Sequence, residues 1–315
     1  MSQVLSIIVP AFNEAENLPE LHRRLAALDW NALDMDFELV IADDCSTDNT
    51  PQVLQTLRDA DSRVKWLRFS RNFGSHKGVT AALLHCAGDA AVVMAADLQD
   101  PPETIPSLLA AWRKGNRIVW AVRNNREGES ASTLLAARLY YFLMRRLSDF
   151  KPPPEGADFM LLDRRVIEAV RQAPEKHTTV FGLVQWMGFS QSSVGYTKAA
   201  RAAGISKWTL RKKAKLFIDS MVSFSYAPIR LMSALGCATA FLGFCYATLV
   251  AIRAMLNLSP VTGWSSLMCV VLLTSGLQMI LLGILGEYLW RTYDETRKRP
   301  AFIIESTCGL DRSES

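Results

Sequence analysis

The sequence lacks the cysteine and glycine patterns that mark several common classes of protein. Its six cysteines are scattered without a CxxC pair, which argues against a zinc site or a disulfide framework. It has no GxGxxG or GxxxxGK(S/T) loop to wrap a dinucleotide or a triphosphate, so a nicotinamide dehydrogenase is excluded. The net charge of +4 is too small to indicate nucleic acid as a partner.

Charged residues are also scarce in one long part of the chain. Residues 216–286 contain only three of them, whereas the first 215 residues carry charge throughout. Within this part, the runs 231–252 and 264–289 are long and apolar enough to span a bilayer as helices. Because basic residues flank the pair of runs on both outer sides, the positive-inside rule predicts a cytoplasmic N-terminal domain. Two buried helices of a soluble core are the alternative, which the length and adjacency of the runs disfavour.

The segment before the first apolar run is basic and partly apolar. Six basic residues and no acidic one lie between Arg201 and Lys215, and apolar residues such as Trp208 and Phe217 accompany them. This pattern predicts amphipathic helices in the membrane interface, with their basic edge on anionic headgroups.

Short apolar runs alternate with helical patterns through the first 122 residues. Because these runs show no polar alternation, they predict buried strands of a mostly parallel sheet that helices cover on both faces. Ligands of such sheets bind beyond the carboxyl ends of the strands. The predicted strands cover 4–10, 37–42, 64–69, 90–95 and 118–122, and the predicted helices cover 14–28, 48–60, 78–87 and 101–112.

Acidic and polar side chains follow the predicted strands at these carboxyl ends. A crowd of carboxylates would repel a nucleotide diphosphate, and Mg²⁺ or Mn²⁺ bound at Asp97 would reverse that effect. Ser46 and Asp48 are more simply explained as caps of the following helix. The residues at this edge are Phe12, Asn13 and Glu14 after the first strand, Asp43, Asp44, Ser46 and Asp48 after the second, Asp97, Gln99 and Asp100 after the fourth, and Arg123 and Arg126 after the fifth.

Five segments resemble the family-2 glycosyltransferases with a GT-A fold. They are VPAFNEAENL, ADDCSTDNT, RNFGSHKGVTAAL, AADLQDPPE and GADFMLLDR. Three later segments, RAAGISKWTLRKKAKLFIDS, SFSYAPIRLMS and GEYLWRTYDETRKRPAF, narrow the resemblance. They are similar to polyprenyl-phosphate glycosyltransferases of the bactoprenol glucosyltransferase type, relatives of dolichyl-phosphate mannose synthase. The resemblance covers residues 4–304.

The resemblance implies a nucleotide-sugar site at the ends of the first two strands. Pro10, Phe12 and Glu14 would line the nucleotide site. Asp43 and Asp44 would receive the uracil or the ribose.

The resemblance implies a reacting centre formed by later segments. Asp97 and Gln99 would hold Mg²⁺ or Mn²⁺ on the donor diphosphate, with Asp97 also in the nucleotide-sugar site. Asp158, in GADF, matches the family's acid near the reacting centre, so Asp97 and Asp158 are the predicted catalytic residues. The lipid phosphate would be received by Arg123, Arg138, Arg201 and Lys207.

The sequence departs from the family pattern at two positions. Many relatives have Asp-Ala-Asp before the Leu-Gln, whereas here the first position is Ala95. One acid and an amide can suffice, because Mg²⁺ usually takes few protein ligands, but Ala95 bears on metal affinity and on the choice of metal or donor. Cys45 stands where the family commonly has Gly, which is expected to change only the turn.

The resemblance also implies an inverting transfer of glucose from UDP-glucose to undecaprenyl phosphate, for modification of a cell-envelope glycan such as O antigen. The implied partners are the nucleotide sugar, the polyprenyl phosphate, the membrane, further copies of the chain in a homo-oligomer such as a tetramer, a flippase and a downstream glycosyltransferase. The implied location is the bacterial inner membrane. The expected parts are a cytoplasmic GT-A domain over 1–205, interfacial helices over 206–229, two transmembrane helices within 230–290 and a cytoplasmic tail over 291–315.

Other functions stay open at this point. The donor could be a UDP-N-acetylhexosamine, a UDP-aminosugar or GDP-mannose, because hexose selectivity rests on a few pocket contacts. A catalytically degenerate scaffold that retains nucleotide binding is a second alternative, for which Ala95 is the only motivation. A processive polysaccharide synthase is disfavoured, because its QxxRW motif is absent.

Overall fold

The computed structural model describes residues 3–124, 158–173, 178–197, 227–256 and 263–310. Most of the predicted interfacial segment, 206–229, therefore lies outside the described residues. The strands are β1 (Gln3–Ala11), β2 (Met35–Asp43), β3 (Val64–Phe69), β4 (Ala90–Val93), β5 (Ile118–Arg123), β6 (Phe159–Asp163), β7 (Gln191–Tyr196) and β8 (Ile304–Cys308). The helices are α1 (Leu18–Ala26), α2 (Thr50–Ala60), α3 (Ser75–His85), α4 (Ile105–Arg113), α5 (Arg164–Gln172), α6 (Val180–Trp186), α7 (Ala227–Met255) and α8 (Trp264–Thr296).

The described strands form one mixed sheet in the order β7-β5-β6-β4-β1-β2-β3-β8. β1 pairs in parallel with β2 and β4, β2 pairs in parallel with β3, and β5 with β7. β6 runs antiparallel between β4 and β5, and β8 runs antiparallel to β3. All strands except β6 and β8 therefore point the same way, which confirms the predicted mostly parallel sheet.

Both faces of the sheet are buried, because its central strands are apolar at nearly every position. Residues 5–9 of β1 are fully buried. Since side chains alternate between the faces of a strand, Ile7 packs with residues of α1, α2 and α4, and Ile8 packs with residues of α3, α5 and α6. The two helical layers leave the carboxyl ends of β1, β2 and β4 together at one edge.

The strand β8 is not predicted by the sequence pattern. It follows α8 and pairs with β3, with Trp66 opposite Cys308. The Phe302 ring stacks on the Phe69 ring, with 5.2 Å between centroids. β8 thereby covers the backbone groups of β3, which would otherwise form an exposed sheet edge.

Two long apolar helices, α7 and α8, lie where the sequence predicts them. They contain the candidate membrane segments Ile229–Val250 and Leu273–Thr296, and the most apolar window of each is unburied within the described structure. Phe244 and Leu273 are 72% and 75% exposed. Exposed apolar helices of this length favour a membrane environment over a soluble core. The two helices contact each other.

A buried carboxylate, Glu38, joins several segments near the amino end of the sheet. It accepts hydrogen bonds from Ser6 Oγ (2.5 Å) and the Ala87 amide (2.6 Å), and it pairs with Lys65 Nζ (2.6 Å). Burial by itself raises the pKa of Glu38, but the bonds from Lys65, Ser6 and Ala87 outweigh it and hold the pKa below the usual value. The ionised carboxylate therefore ties β1, β2, β3 and the loop before β4 together.

Glu38→Gln is expected to lower the stability of the protein. The loss should be about 2 kcal/mol, because one partner of a mostly buried ion pair is removed while Lys65 stays partly hydrated. At roughly 2–4 °C per kcal/mol, the apparent Tm should fall by about 4–8 °C. It is measured by tryptophan fluorescence on the full-length protein in detergent. Glu20→Gln, which removes an exposed pair with Arg23, is the control, and equal Tm losses in the two variants would contradict the role of Glu38.

The Glu38 carboxylate also predicts a pH dependence of stability. Its pKa is lower in the folded chain than the ordinary value of 4.5, so its stabilisation is complete above that value and is lost as the pH falls through the folded pKa. The Tm difference between wild type and Glu38→Gln should be constant from about pH 8 to about pH 6 and shrink in more acidic buffer. A difference that widens on acidification would refute this assignment.

Candidate active site

The loops that follow β1 and β2 are held together by hydrogen bonds. The amide of Asp44 donates to the carbonyl of Ala11 (2.9 Å). The Asn13 amide donates to Ser46 Oγ (2.9 Å), and the Thr47 amide donates to Asn13 Oδ1 (2.8 Å). The Ser46 hydroxyl therefore joins the two loops, where the sequence predicts a cap for α2.

The next residues of both loops continue this contact. The Glu14 amide donates to Thr50 Oγ1 (3.0 Å), and the Glu14 carboxylate accepts a hydrogen bond from Asn17 Nδ2 (2.7 Å). Asp48 accepts from the amide of Thr50, the first residue of α2 (3.0 Å), and from the amide of Ala15 (3.4 Å), although the N-cap position of α2 is Asn49. Glu14 is thus fixed at the junction of the two loops.

Three residues at this edge have a left-handed backbone, which is uncommon for residues other than glycine. They are Asn13 (φ 54°), Cys45 (φ 60°) and Leu98 (φ 59°), one in each of the loops after β1, β2 and β4. Cys45 occupies the position where the resemblance expects glycine, and its φ explains that preference. Strained backbone of this kind concentrates at functional sites.

Asp43 is fully buried at the end of β2, and Arg68 neutralises its charge. The carboxylate pairs with the Arg68 guanidinium and accepts a hydrogen bond from the Ser46 amide (3.0 Å). The same guanidinium reaches Glu305 of β8, with 3.2 Å between Nε and Oε2. Arg68 thus links a predicted nucleotide-site acid to the strand that follows the apolar helices.

Asp44 fixes the start of α3. Its carboxylate accepts hydrogen bonds from the amides of Phe73 (2.6 Å) and Gly74 (2.8 Å). Burial raises the pKa of Asp44, although the two amide bonds oppose the shift. Further along α3, the helix comes so close to β1 that a Cβ on Gly78 would lie 3.3 Å from the Cβ of Pro10. The helix therefore closes one side of the candidate nucleotide site.

The loop after β4 presents polar side chains at alternate positions. Asp97 and Gln99 are half-buried, whereas Leu98 and Asp100 are buried. The Gln99 amide donates to Asp97 Oδ1 (3.3 Å), which closes a tight turn around the left-handed Leu98. Asp97 and Gln99 therefore share the outward side of the loop.

The oxygen atoms of Asp97 and Gln99 suit a hard divalent cation such as Mg²⁺ or Mn²⁺. Ala95 adds no ligand, and no group of three His, Cys, Asp or Glu side chains within the described ranges could hold a metal ion. Mg²⁺ sites commonly complete their coordination with substrate phosphates and water. The donor set therefore fits a cation that binds together with a phosphate ligand.

Arg123 and Asp158 lie side by side across the antiparallel pair β5–β6. Their Nη2 and Oδ2 atoms are 3.6 Å apart, with side chains 18% and 69% exposed. The buried Nε of Arg123 has no hydrogen-bond partner among the described residues, and such a group calls for an explanation. The guanidinium suits the binding of an anion, and the neighbouring carboxylate opposes it.

The predicted site residues thus form two groups. One group lies in the loops after β1, β2 and β4, with Phe12 half-buried among them. The other is the pair at the ends of β5 and β6. Three predicted phosphate-binding residues, Arg138, Arg201 and Lys207, lie outside the described residues.

His76, a lone histidine that the sequence gives little reason to regard as catalytic, is buried at the start of α3. Its ring packs edge-on against Phe181, with 5.5 Å between centroids, and neither nitrogen has a partner in the described part of the chain. Burial lowers the pKa of His76 to about 4, so the imidazole is neutral near pH 7 and acts as a packing residue.

Comparison with known families and proteins places this geometry in context. The family model described as Glycosyl transferase family 2 matches residues 6–171. Uncharacterized glycosyltransferase YkcC of Bacillus subtilis (strain 168) is 38% identical over 97% of this chain and 94% of its own length. The bactoprenol glucosyl transferase of Shigella phage SfV is 34% identical over 96% of this chain and 98% of its own length. The prophage bactoprenol glucosyl transferase homolog of Escherichia coli (strain K12) has the same identity and coverage.

Solved structures show more distant likeness. Mannosyltransferase PcManGT from Pyrobaculum calidifontis, solved in complex with GDP-Man and Mn²⁺, is 17% identical, with a TM-score of 0.46 over 91% of this chain and 87% of its own. Glucosyl-3-phosphoglycerate synthase from Mycobacterium tuberculosis, solved with Mn²⁺, UDP-glucose and phosphoglyceric acid, is 17% identical, with a TM-score of 0.48 over 70% of this chain and 78% of its own.

The family match covers more than half of the chain, and relatives above 30% identity extend the similarity to nearly its full length. This chain is therefore a glycosyltransferase and belongs to glycosyl transferase family 2.

Proposed function

We propose that the protein moves a hexose from a nucleotide sugar to a polyprenyl phosphate, with inversion at the anomeric carbon. Glucose from UDP-glucose and undecaprenyl phosphate are the proposed substrates. The observation that carries the proposal is the similarity to bactoprenol glucosyl transferases over 98% of their length, which therefore takes in the apolar helices α7 and α8. A lipid acceptor explains why a transferase would keep such a hairpin next to its catalytic domain.

The nucleotide sugar is proposed to bind at the ends of β1, β2 and β4. Pro10, Phe12 and Glu14 would line the nucleotide, and Asp43 and Asp44 would shape the pocket for uracil or ribose. Because an arginine neutralises Asp43 and two amides hold Asp44, neither carboxylate brings a full uncompensated charge to the diphosphate. This arrangement supports an anionic donor at an edge rich in acids.

Asp97 and Gln99 are proposed to hold Mg²⁺ or Mn²⁺ at the donor diphosphate. When bound, such a cation neutralises the charge that builds up on the leaving diphosphate. The left-handed turn at Leu98 keeps both oxygen-bearing side chains on the same side of the loop.

The acceptor phosphate is proposed to bind beside Arg123. Its oxygen is already an anionic nucleophile, so the site needs positioning and charge neutralisation more than a strong base. As this oxygen bonds to the anomeric carbon, the bond from that carbon to the nucleotide diphosphate breaks, which inverts the configuration. Asp158 would orient the acceptor, and it would take the proton of a phosphate that arrives as a monoanion. Arg138, Arg201 and Lys207 are proposed to complete the phosphate site.

The membrane arrangement is proposed as follows. The GT-A domain, 1–205, faces the cytoplasm, 206–229 lies in the interface, the two helices within 230–290 cross the bacterial inner membrane, and the chain returns to the cytoplasm at 291. Homo-oligomers such as a tetramer would form through the interfacial and membrane helices. A flippase and a downstream glycosyltransferase would use the lipid-linked sugar for cell-envelope glycan modification.

Purified full-length protein in detergent is expected to transfer labelled sugar to undecaprenyl phosphate in the presence of Mg²⁺ or Mn²⁺. Chelation by EDTA should abolish the transfer, and added metal should restore it, because the leaving diphosphate then regains its counter-charge. Each donor of a panel of UDP- and GDP-sugars is tested separately.

The donor panel separates the remaining alternatives. Transfer from UDP-glucose supports the full proposal, and transfer from a UDP-N-acetylhexosamine, a UDP-aminosugar or GDP-mannose replaces only the sugar. Intact nucleotide binding without transfer from any donor would overturn the proposal in favour of a degenerate scaffold.

Asp97→Ala and Asp158→Ala are each expected to lower kcat for transfer by roughly 10²-fold or more, as loss of a group that stabilises developing charge does. Both variants should stay folded and membrane-bound, because neither residue lies in the apolar core. The control is Asp59→Ala, at an exposed position on α2, which should retain wild-type turnover. Near-normal kcat in either test variant would remove that residue from the mechanism.

A further inference from the structure

A buried hydrogen bond connects β7 to the loop that carries the proposed metal ligands. The Tyr196 hydroxyl donates to Asp100 Oδ1 at 2.5 Å, and the two residues are only 5% and 2% exposed. Asp100 follows Gln99 directly in the loop after β4. A short bond from a neutral donor to a buried carboxylate belongs to the stronger class of protein hydrogen bonds.

This bond crosses the sheet. β5 and β6 lie between β7 and β4, and the chain after β4 leads to α4, which contacts β5, β6 and β7, so the loop and the phenol of Tyr196 meet above the intervening strands. On the way its ring packs edge-on against Phe159 of β6, with 5.7 Å between centroids. Packing therefore fixes the ring, and with it the position of the hydroxyl at the carboxyl edge of the sheet.

Tyr196 also lies beside the other half of the candidate site. Tyr196 is the register partner of Arg123 on β5, and the Arg123 guanidinium is near enough to oppose the rise that burial and Asp100 cause in the pKa of the phenol. The guanidinium in turn lies 3.6 Å from Asp158. Asp100 is thus bonded to Tyr196, Tyr196 is paired in register with Arg123, and Arg123 is paired with Asp158.

We propose that Tyr196 is a positioning residue that sets the distance between the loop of Asp97 and Gln99 and the pair Arg123–Asp158. The proposal rests on the proposed function, in which the first group serves the donor and the second serves the acceptor. In an in-line displacement both substrates must meet in a defined geometry, and a misplacement of about 1 Å can cost roughly 10²-fold in rate. Tyr196 is bonded to Asp100, next to the first group, and lies beside Arg123 of the second.

The chemistry of the phenol suits a permanent link. Burial and the neighbouring Asp100 carboxylate raise the pKa of Tyr196, so the hydroxyl keeps its proton throughout the physiological range and remains a donor. Neither Tyr196 nor Asp100 needs to touch a substrate to act in this way. Their effect on the reaction would pass through Asp97, Gln99 and Arg123.

Tyr196→Phe tests the link, because it keeps the ring against Phe159 and removes only the hydroxyl. The variant is expected to lower kcat for transfer to undecaprenyl phosphate by about tenfold or more, by loss of alignment. Slow hydrolysis of the donor by water, measured without the lipid, needs only the donor half and should change less than about threefold. The matched control is Tyr293→Phe on α8, at a site 54% exposed, which should leave both rates unchanged.

The ratio of transfer to hydrolysis distinguishes positioning from general destabilisation. A falling ratio supports the link, whereas transfer and hydrolysis that fall by equal factors, or do not fall, would overturn it. Asp100→Asn keeps an oxygen that accepts the Tyr196 bond and should stay within a few-fold of wild type, whereas Asp100→Ala should match Tyr196→Phe.

A double variant completes a double-mutant cycle for Tyr196 and Asp100. If Tyr196 and Asp100 act as one unit, Tyr196→Phe combined with Asp100→Ala should lose no more kcat than the larger single loss. Losses that multiply would show that the two residues act independently, against the proposal.

The link can be judged even if the proposed function fails. Wild-type protein without transfer from any donor would refute the proposed function alone. Amide hydrogen exchange of residues 97–100 then reports on the link, since Tyr196→Phe should speed it and Tyr293→Phe should not. Unchanged exchange in Tyr196→Phe would refute the positioning role by itself.

Discussion

The candidate site depends on the way the chain leaves three parallel strands at one edge of the sheet. Asn13, Cys45 and Leu98 each turn the backbone through a left-handed conformation directly after a buried strand. Each such residue costs of order 1 kcal/mol, and the surrounding hydrogen bonds hold it in place. The result is that polar side chains come to lie next to one another although the strands themselves are apolar. Without these turns the loops after β1 and β2 could not exchange the bonds of Asn13 with Ser46 and Thr47.

The acidic residues at this edge of the sheet differ in burial and in the groups that compensate their charge. The sequence indicates a row of carboxylates that would repel a diphosphate. In the folded protein, Asp43 is compensated by Arg68, Asp44 by two backbone amides, and Asp100 by the hydroxyl of Tyr196. Asp97 stands apart, since it remains half-exposed on the outward side of its loop. Buried carboxylates at this edge therefore hold the loops in place, and the proposed cation ligand is a more exposed one.

Apolar runs made the central sheet predictable, because β1, β2 and β4 are buried on both faces and show it in their composition. β7 and β8 could not be found in this way, since QSSVGY and IESTC are short and mostly polar strands at the two edges of the sheet. Asp97 and Asp158 came from motifs. Neither the apolar runs nor the motifs predicted the roles of Arg68 and Tyr196. Their partners are 25 and 96 residues away along the chain, and only the strand order brings them together.

The position of β8 has a consequence for how the protein is made. The strand that completes the sheet next to β3 is translated after both apolar helices, and its Glu305 meets an arginine 237 residues earlier. A nascent catalytic domain therefore leaves the ribosome with β3 as an open edge, a form that readily pairs with foreign strands. Only when α7 and α8 have been synthesised can the chain turn back and close that edge. Completion of the sheet is thereby deferred until α7 and α8 exist, and chains that end before β8 stay in the state most exposed to aggregation and proteolysis.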